Sequence, residues 1–383
     1  METVTVAVVG AGIAGNFHCN AVKDVYSAKT RLKTVVDIDY ERALAMRDKW
    51  GFQLATADYE SVLQDPEIDL VCIALPLMLH ADFSAKALSA GKHVVCEKPL
   101  TGYFGLPEDI YAPADIVSKR KIYEALLRDM NCVRDAVNES KANFMYAENY
   151  VYTPNILKVA EHLCDLEVRV QGFAAECSVN GSTPELTELS RQIGSGSLMR
   201  LAAYPLSGVL FFKQSEALAH GNSIRVTSVS ADIAPNYTGN LPGYPDGAEN
   251  FVDISVTFSD GSKAAVYSCD KSAYDYTMGR MRNWIKLDCD NDIKMESTMT
   301  PADNMKTYFF DQEGLGDASS NIEWLRKAAA KETYYNYVAR LNEFVKCASK
   351  NLQSPDGFSL AYDNVKIIYA ACLSAEEGSH IYL

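Results

Sequence analysis

Three glycines near the N-terminus stand at a spacing that suits the binding of a pyrophosphate. The segment Gly10–Gly15 reads Gly-Ala-Gly-Ile-Ala-Gly, directly after an apolar run and directly before a pattern of helical spacing. In that setting the first glycine permits a tight turn, the second lets backbone amides approach the anion, and the third permits close packing of helix against strand. The residues expected to contact a dinucleotide here are Gly10, Gly12, Ile13, Ala14 and Gly15.

An acidic residue about twenty positions beyond the last glycine indicates which dinucleotide is bound. Asp37 ends the second apolar run, where a carboxylate accepts hydrogen bonds from the 2′-hydroxyl of the adenine ribose and repels a 2′-phosphate. We therefore expect NAD as the cofactor, with NADP disfavoured. The alternative interpretation is a glycine-rich turn that binds no ligand.

The elements that must hold these residues alternate between strands and helices. Short apolar runs at residues 4–9, 32–36, 70–75 and 93–96 are separated by amphipathic stretches of helical spacing. This order is typical of an α/β domain in which helices cover both faces of a parallel sheet. From residue 167 onward the apolar residues alternate with polar ones, which predicts a second domain built on an antiparallel sheet.

Composition and charge exclude several classes of function. The chain of 383 residues is 48% hydrophobic and 22% charged, with a net charge of −14. These values predict a globular protein of two domains and disfavour nucleic-acid partners, which are bound by clustered Lys and Arg. No apolar run reaches the roughly 18 residues of a membrane helix, and no signal-peptide pattern precedes the first strand, so we expect a cytoplasmic protein with no membrane partner. The ten cysteines include no CxxC pair, and we expect no metal site.

A second group of motifs resembles a known protein family. The apolar run at residues 70–75 is followed by Pro76 and His80, and the next strand pattern leads into Glu-Lys-Pro at residues 97–99. Through this signature the chain resembles the Gfo/Idh/MocA family, whose members include glucose–fructose oxidoreductase, inositol dehydrogenase and rhizopine catabolism proteins. Further matching segments are Ala87–Leu100, Gly194–Leu198 and Leu373–Gly378.

The resemblance implies an α/β protein: a Rossmann domain with a parallel sheet, then an α/β domain with a large, mostly antiparallel open sheet. In the family that open sheet often packs against a second subunit, so we expect a homo-oligomer. We place the Rossmann domain at residues 1–122, the domain for substrate binding and oligomerisation at 123–358, and a C-terminal helix that closes back on the Rossmann domain at 359–383. Residues 102–120 are rich in Gly, Pro and Tyr, which predicts a lid-like insertion.

Lys98 is the first catalytic candidate, because the resemblance places the lysine of Glu-Lys-Pro beside the nicotinamide and the reacting hydroxyl. An ammonium group there orients a hydroxyl and stabilises charge that develops on its oxygen, and a lysine whose pKa is lowered by burial can also accept the proton. The alternative for an isolated lysine is a solvated side chain. Pro76, His80 and Glu97 are expected near the cofactor, together with Lys98 itself.

The second motif of the family is where this chain departs from the pattern. Many members carry an aspartate and, four residues later, a histidine that face the substrate from a helix, whereas this chain has Arg200 and Tyr204 at those positions. The spacing of four still places both side chains on one helical face. Tyr204 is a second catalytic candidate, since its phenol can relay a proton beside a cation, and Arg200 can hold substrate oxygens through its fork of donors. The alternative for Tyr204 is a packed aromatic ring before Pro205.

Four further residues are predicted to bind substrate. Tyr150, Tyr152 and Asn155 follow a predicted strand at 144–149, where they can bind sugar hydroxyls or stack on a ring face. Ordinary packing is the alternative for all three. Tyr103 in the predicted lid can cover an apolar part of a glycoside.

Three functions are compatible with this pattern. The first is NAD-dependent hydride transfer between nicotinamide and a secondary hydroxyl of a small carbohydrate, glycoside or cyclitol, with oxidation of a ring hydroxyl to an oxo-glycoside as its sharper form. The second is glycoside cleavage through transient oxidation, elimination and re-reduction. The third is a dinucleotide- or sugar-sensing regulator without catalysis, which the absence of the family's histidine favours and the presence of Lys98 opposes.

Overall fold

The chain divides into two compact units in the computed structural model. Each unit is assembled from segments that are distant in sequence. The first unit consists of Met1–Gly102, Leu126–Tyr152 and Thr333–Tyr362, and the second of Tyr103–Ala125, Thr153–Glu332 and Asp363–Leu383.

The structure describes most residues of both units. These are residues 3–105, 114, 117–178, 197–235, 249–269, 282–290, 294–298, 307–310, 332–350, 352, 354 and 357–383. Most of the predicted lid at 102–120 lies outside the described residues, as does the glycine-rich start of the second motif at 194–196.

The first unit contains a six-stranded parallel sheet in the order β3-β2-β1-β4-β5-β6. Its central strands are almost entirely buried, as expected when helices cover both faces. The parallel sheet predicted from the apolar runs is thereby confirmed. The strands are β1 Thr3–Val9, β2 Lys29–Val36, β3 Leu54–Thr56, β4 Leu70–Ile73, β5 His93–Glu97 and β6 Phe144–Ala147.

Helices connect these strands, and local sequence signals mark their ends. The helices that contribute to this unit are α1 Ile13–Lys23, α2 Tyr40–Trp50, α3 Glu60–Gln64, α4 His80–Ser89, α5 Lys119–Glu139 and, after two helices of the second unit, α8 Glu332–Lys350. Asp39 caps α2 by accepting the N–H groups of Glu41 and Arg42, which is the usual role of aspartate at this position. Gly51 ends the same helix in the left-handed region at a φ of 78°, where glycine is favoured.

The second unit is built on an eight-stranded sheet in the order β13-β12-β11-β7-β10-β9-β8-β14. The strands are β7 Val170–Ser178, β8 Val226–Pro235, β9 Glu249–Phe258, β10 Lys263–Cys269, β11 Arg282–Cys289, β12 Lys294–Thr298, β13 Thr307–Phe310 and β14 Ile381–Tyr382, and the helices are α6 Pro154–Leu166, α7 Ala203–Ala219 and most of α9 Phe358–Glu377. Neighbouring strands are antiparallel except β7 and β10, which pair in parallel. The expected second domain with a mostly antiparallel open sheet is thereby confirmed. Alternate side chains of β10 and β11, such as Val266 and Ile285, are buried on the face that packs against α7.

The division into units differs from the domain limits expected from sequence. Strand β6 lies beyond the expected limit at residue 122 and yet pairs with β5, because the parallel sheet takes its sixth strand from after the long helix α5. Residues Thr333–Tyr362 also belong to the first unit. The segment 359–383, expected as a closing helix, belongs from Asp363 onward to the second unit, where β14 extends the sheet by pairing with β8.

The described residues contain neither a membrane-spanning helix nor a metal-binding cluster. Within these ranges, none of the helices combines the length and the apolar composition needed to cross a membrane. The same part of the chain holds no group of three or more His, Cys, Asp or Glu side chains arranged to bind a metal ion. All ten cysteines are free thiols.

Candidate active site

The glycine turn predicted from sequence follows β1 and leads directly into α1. Gly10 has a positive φ of 109°, and a Cβ atom at this position would collide with the carbonyl oxygen of Ala74. A Cβ atom at Gly15 would collide with the carbonyl oxygen of Gly10. At Gly12, by contrast, the atom nearest to an added Cβ is Nη2 of Arg42 at 3.7 Å. Packing therefore requires glycine at the first and third positions, whereas the second leaves room beside the helix N-terminus.

The start of α1 has the chemistry needed to hold a pyrophosphate. Gly12 is the N-cap residue of the helix. The amides of Ile13, Ala14 and Gly15 belong to the first turn, where helix N–H groups are available to an anion. The first turn carries no acidic side chain, and Lys23 lies in the last turn, so the side chains do not oppose the helix dipole. These residues therefore fit the pyrophosphate of a dinucleotide.

Asp37 comes directly after β2 and binds the glycine turn. Its Oδ2 accepts the N–H of Ala11 at 2.8 Å, and its Oδ1 accepts the N–H of Asp39 at 3.0 Å. The guanidinium of Arg42 lies 3.6 Å from Oδ2. A carboxylate oxygen accepts more than one hydrogen bond, so Asp37 retains the capacity to bind ribose hydroxyls while it fixes the turn.

Lys98 lies at the same edge of the parallel sheet as the glycine turn. Strand β1 pairs with β4 and β4 pairs with β5, with their C-terminal residues in register. Gly10 follows β1, Pro76 precedes the short 3₁₀ turn after β4, and Lys98 follows β5. The three predicted residues therefore emerge at the carboxyl ends of neighbouring strands, where open α/β sheets bind their ligands.

His80 holds the turn that contains Lys98. Nδ1 of His80 lies 2.8 Å from the carbonyl oxygen of Pro99, and Nε2 lies 2.9 Å from that of Leu75. Only an imidazolium ion can donate to both oxygens. Burial on its own lowers the pKa of His80, but the Cys96 thiol and the two carbonyl oxygens outweigh burial and raise the pKa to about 9. A buried positive charge thus joins the turn after β4 to the turn after β5.

Glu97 is buried between two basic residues of the first unit. Its Oε1 lies 2.8 Å from Nε2 of His18 on α1 and 3.8 Å from Nη2 of Arg340 on α8. Burial on its own raises the pKa of Glu97, but the contact with His18 and the charges of Arg340 and Lys98 outweigh burial, and the pKa falls to about 2. Burial lowers the pKa of His18 more than Glu97 raises it. The imidazole is therefore neutral at pH 7 and lies against an ionised Glu97.

Three further candidates, His18, Glu148 and Arg340, have no motif that indicates them. His18 lies in the buried stripe of α1 with Cys19 and Val22, so a titratable side chain within an apolar stripe is the available signal. Glu148 directly follows the buried strand β6, a position where parallel sheets carry functional side chains. Arg340 has no local signal, because the carbonyl that it binds, that of Ala147, is 193 residues away along the chain.

Tyr150 and Tyr152 lie in a 3₁₀ turn after β6, and both side chains are buried. The predicted strand at 144–149 therefore ends earlier, at Ala147. The ring of Tyr152 packs edge-to-face against Phe344, with 6.0 Å between the ring centroids. For Tyr152 this contact favours packing over stacking on a substrate.

The remaining predicted residues belong to the second unit. Arg200 lies in a π-helical turn of five residues, and Tyr204 lies at the start of α7, which follows that turn. The motif therefore includes a π turn and does not form a regular α-helical face. Such turns are frequent at functional sites. Asn155 is buried at the start of α6. Tyr103 is also buried, and its N–H donates to the hydroxyl of Tyr369 at 2.8 Å.

Known proteins share sequence and fold with this chain. Residues 4–121 match the sequence profile of an oxidoreductase family with an NAD-binding Rossmann fold. A levoglucosan dehydrogenase from Pseudarthrobacter phenanthrenivorans is 26% identical over 222 residues, which cover 53% of this chain and 50% of that protein. An inositol 2-dehydrogenase from Arthrobacter sp. is 39% identical over 101 residues, which cover 26% of this chain and 29% of that protein.

A solved structure of levoglucosan dehydrogenase in complex with NADH and L-sorbose has the same fold. It superposes with a TM-score of 0.70 at 18% identity and covers 100% of this chain and 99% of that chain. The sequence match is shorter than the structural match. In sequence, this chain spans about half the length of the levoglucosan dehydrogenase that it matches. Residues 4–121 of this chain therefore match the NAD-binding Rossmann domain of the Gfo/Idh/MocA oxidoreductases.

Proposed function

We propose that this protein is an NAD-dependent oxidoreductase that transfers hydride between nicotinamide and a secondary hydroxyl of a sugar, glycoside or cyclitol. The observation that carries the proposal is the position of Lys98 at the sheet edge that also holds the glycine turn Gly10–Gly15. Ligands of open α/β sheets bind outside the carboxyl ends of the strands. A cofactor site and an ammonium group at one such edge support hydride chemistry on a hydroxyl.

The predicted site residues have complementary roles in this proposal. NAD bound at the glycine turn would supply the hydride acceptor. The ammonium group of Lys98 donates a hydrogen bond to the substrate oxygen and stabilises the negative charge that develops on it. The phenol of Tyr204 relays the hydroxyl proton, accepting it on its oxygen as it gives up its own, and Arg200 holds neighbouring substrate oxygens through its fork of donors. Tyr103, Tyr150 and Asn155 are secondary candidates for contacts to the substrate.

The names of the relatives support a cyclic polyhydroxylated substrate. They include a levoglucosan dehydrogenase, inositol 2-dehydrogenases and a D-xylose 1-dehydrogenase. We infer the same class for this chain, with oxidation of a ring hydroxyl to an oxo-glycoside as the narrower form. The xylose enzyme is named for NADP, but the carboxylate of Asp37 beside the glycine turn supports NAD here, because it would repel a 2′-phosphate.

We further propose that the protein acts in the cytoplasm as a homo-oligomer formed through the open face of the eight-stranded sheet. That face carries Trp284, whose Nε1 donates to Oε2 of Glu176 at 2.8 Å, and the ammonium of Lys286 lies 5.3 Å from the centroid of the Trp284 ring. Aromatic residues are enriched at subunit interfaces. Light scattering tests this point: Trp284→Glu is expected to lower the measured mass, and a monomeric wild-type protein would contradict the proposal.

Incubation of the purified protein with NAD, and separately with NADP, against a panel of monosaccharides, glycosides and inositols tests the reaction. We expect reduced NAD to accumulate while one class of panel compound loses two hydrogens. Fragments of a glycoside without net accumulation of reduced NAD would show cleavage through transient oxidation instead. Dinucleotide binding with no change in any panel compound would support a sensing role and contradict the proposed reaction.

A pair of matched variants assigns the reaction to Lys98. Lys98→Met removes the ammonium group and keeps an unbranched side chain, and we expect kcat to fall by at least about a hundredfold with little change in the affinity for NADH. Lys86→Met makes the same chemical change at an exposed lysine on α4 that pairs with Asp82 at 2.8 Å. This control is expected to retain full activity. Equal activity of the two variants would contradict a catalytic role for Lys98.

A further inference from the structure

The ends of β5 and β6 bring a second carboxylate to the position of Lys98. The two strands are parallel neighbours, with Glu97 opposite Ala147. Lys98 and Glu148 are each the next residue after that pair. They therefore leave the sheet together at its carboxyl edge.

Glu148 is almost completely buried, with 1% of its surface exposed. Its Oε1 accepts the N–H of Tyr150 at 3.0 Å. Burial raises the pKa of Glu148, and the positive charge of Lys98 is the largest influence that opposes burial. A buried carboxylate is costly unless a cation and hydrogen bonds compensate it, so the neighbouring lysine has a specific electrostatic task.

Arg340, a further buried cation of the first unit, is directed towards Glu97. Its Nη1 donates to the carbonyl oxygen of Ala147 at 2.9 Å, its Nη2 lies 3.8 Å from Glu97, and its guanidinium lies 4.5 Å from the centroid of the Tyr337 ring. Its influence on Glu148 ranks below that of Lys98. His18 also lies 2.8 Å from Glu97, and both His18 and Arg340 lower the pKa of Glu97 more than Lys98 does.

Other titratable side chains besides Lys98 and the two glutamates belong to this buried region. Arg340 is directed towards Glu97, and the imidazolium of His80 donates to the carbonyl oxygens of Pro99 and Leu75 and not to a carboxylate. His18 is neutral at pH 7, since burial lowers its pKa, and burial likewise raises the pKa of the Tyr337 phenol, which keeps it uncharged. Lys98 is therefore the cation that compensates Glu148, and a free amine at Lys98 would leave an ionised Glu148 without its main compensating charge in a region of low dielectric.

We propose that Glu148 is a positioning residue that holds the side chain of Lys98 and keeps it in the ammonium form. What Lys98 does for a substrate rests on the proposed function, but the pairing of the two side chains does not. A protonated Lys98 binds the substrate oxygen and stabilises the negative charge that develops on it. The proton of the hydroxyl must then leave through another group, such as the phenol of Tyr204.

Competitive acetylation with acetic anhydride measures the pairing without any substrate, because only the free amine of a lysine reacts. Peptide mass spectrometry would follow the labelling of Lys98 against pH in the wild-type protein, in Glu148→Gln and in Glu148→Asp. In the Gln variant the midpoint of the Lys98 curve is expected to move down by at least about one pH unit, which corresponds to about tenfold more labelling at pH 8. The Asp variant, which retains the charge, is expected to restore most of the shift.

Lys86 serves as the internal reference in the same digests, because it is exposed and far along the chain from Glu148. Its labelling curve is expected to stay unchanged in all three proteins. A Gln variant that only loosens the structure would raise the labelling of Lys98 at every pH without moving the midpoint, and this result would overturn the proposal, as would identical curves. If the Gln variant does not fold, as judged by its thermal transition, the Asp variant is the test. A Lys98 midpoint equal to that of the wild type supports the pairing. A downward shift of that midpoint larger than the shift in the control variant Glu124→Asp contradicts it.

The labelling result and the result of the substrate panel are independent. A shift of the Lys98 midpoint with no oxidised panel compound would support the pairing and leave the proposed reaction in error. An oxidised compound with no shift of the Lys98 midpoint would support the proposed reaction and contradict the pairing. Once a substrate is known, Glu148→Gln is expected to lower kcat and to move the pH limb that depends on Lys98, while the affinity for NADH stays the same.

Discussion

Nε2 of His18 lies 2.8 Å from Oε1 of Glu97. The first residue lies on α1, the helix whose N-terminus fits a pyrophosphate, and the second is the last residue of β5, immediately before Lys98. One close polar contact within the first unit thus links the element that fits the cofactor to the strand that carries the candidate catalytic lysine. Both groups are buried, so the contact has a measurable effect on stability.

Replacement of His18 should destabilise the protein by an amount that depends on whether a polar group is retained. His18→Leu leaves the ionised, buried Glu97 without this polar neighbour, and we expect a loss of about 2 kcal/mol in the free energy of unfolding. His18→Gln can place an amide N–H near the same position and should lose less. Urea unfolding at pH 7 measures both values. Equal losses for the two variants would show that side-chain volume, not the polar contact, sets the effect.

The same pair predicts that stability falls on the acid side. The pKa of His18 in the folded protein is below its ordinary value of 6.5, and that of Glu97 is lowered from 4.5 to about 2. The unfolded chain therefore binds protons first, and stability declines as the pH falls below about 6.5 and again below about 4.5. In His18→Gln the first part of this decline should be smaller. Thermal transitions of both proteins between pH 7 and pH 5 provide the comparison, and parallel curves would contradict the assignment.

His80 predicts the opposite dependence on the alkaline side. Its pKa is raised from 6.5 to about 9, so its contribution is complete below pH 6.5 and is lost as the pH rises through 9. For this buried side chain the contribution is roughly 3 kcal/mol. His80→Gln should be less stable than the wild type at pH 6, and the difference should shrink by pH 9. A difference that stays constant over this range would mean that His80 is neutral in the folded protein.

The glycines of the turn should separate folding from cofactor binding. Gly10→Ala places a Cβ against the carbonyl oxygen of Ala74 and requires a positive φ, so we expect a loss of more than about 2 kcal/mol in stability. Gly12→Ala meets no atom closer than 3.7 Å and should keep its thermal transition while it binds NADH at least about tenfold more weakly. Calorimetry gives both quantities. Unchanged NADH affinity in Gly12→Ala would place the pyrophosphate elsewhere.

Asp37 and its neighbour Arg42 should set the preference between the two dinucleotides. Asp37→Ser removes the carboxylate and releases the guanidinium that lies 3.6 Å from it, so a 2′-phosphate gains a partner and loses a repulsive charge. We expect the ratio of NADPH to NADH affinity to rise by at least about tenfold. The double variant Asp37→Ser with Arg42→Ala should lose most of that gain. A ratio that does not change in the single variant would remove Asp37 from the ribose site.

The sequence was most informative where the chemistry is local. The glycine turn, Asp37 and Lys98 are each marked by a short motif next to a strand, and the parallel sheet brings all three to one edge. Glu148 and Arg340 could not be found in this way, because their roles depend on strand order and on a helix far along the chain. The boundary between the units could not be predicted from the sequence either, because the parallel sheet takes its strand β6 from beyond the long helix α5.

Aromatic composition was a weaker guide to the site. Tyr150 and Tyr152 follow a strand as substrate residues often do, but both are buried in the structure, and Tyr152 packs on Phe344. A tyrosine beside a strand end serves equally well as core or as a binding residue, so spacing alone does not separate the two. At Arg200 the helix contains a π turn, which the spacing of four residues does not reveal.

The most direct test of the central claim is the transfer of deuterium from carbon to the cofactor. A substrate that carries deuterium on the carbon to be oxidised would be incubated with NAD and the protein, and the reduced nucleotide would be isolated for mass spectrometry. Hydride transfer predicts that the nucleotide carries the deuterium and that Lys98→Met slows its appearance, whereas Lys86→Met does not. Reduced nucleotide without deuterium, or equal rates for both variants, would contradict the account.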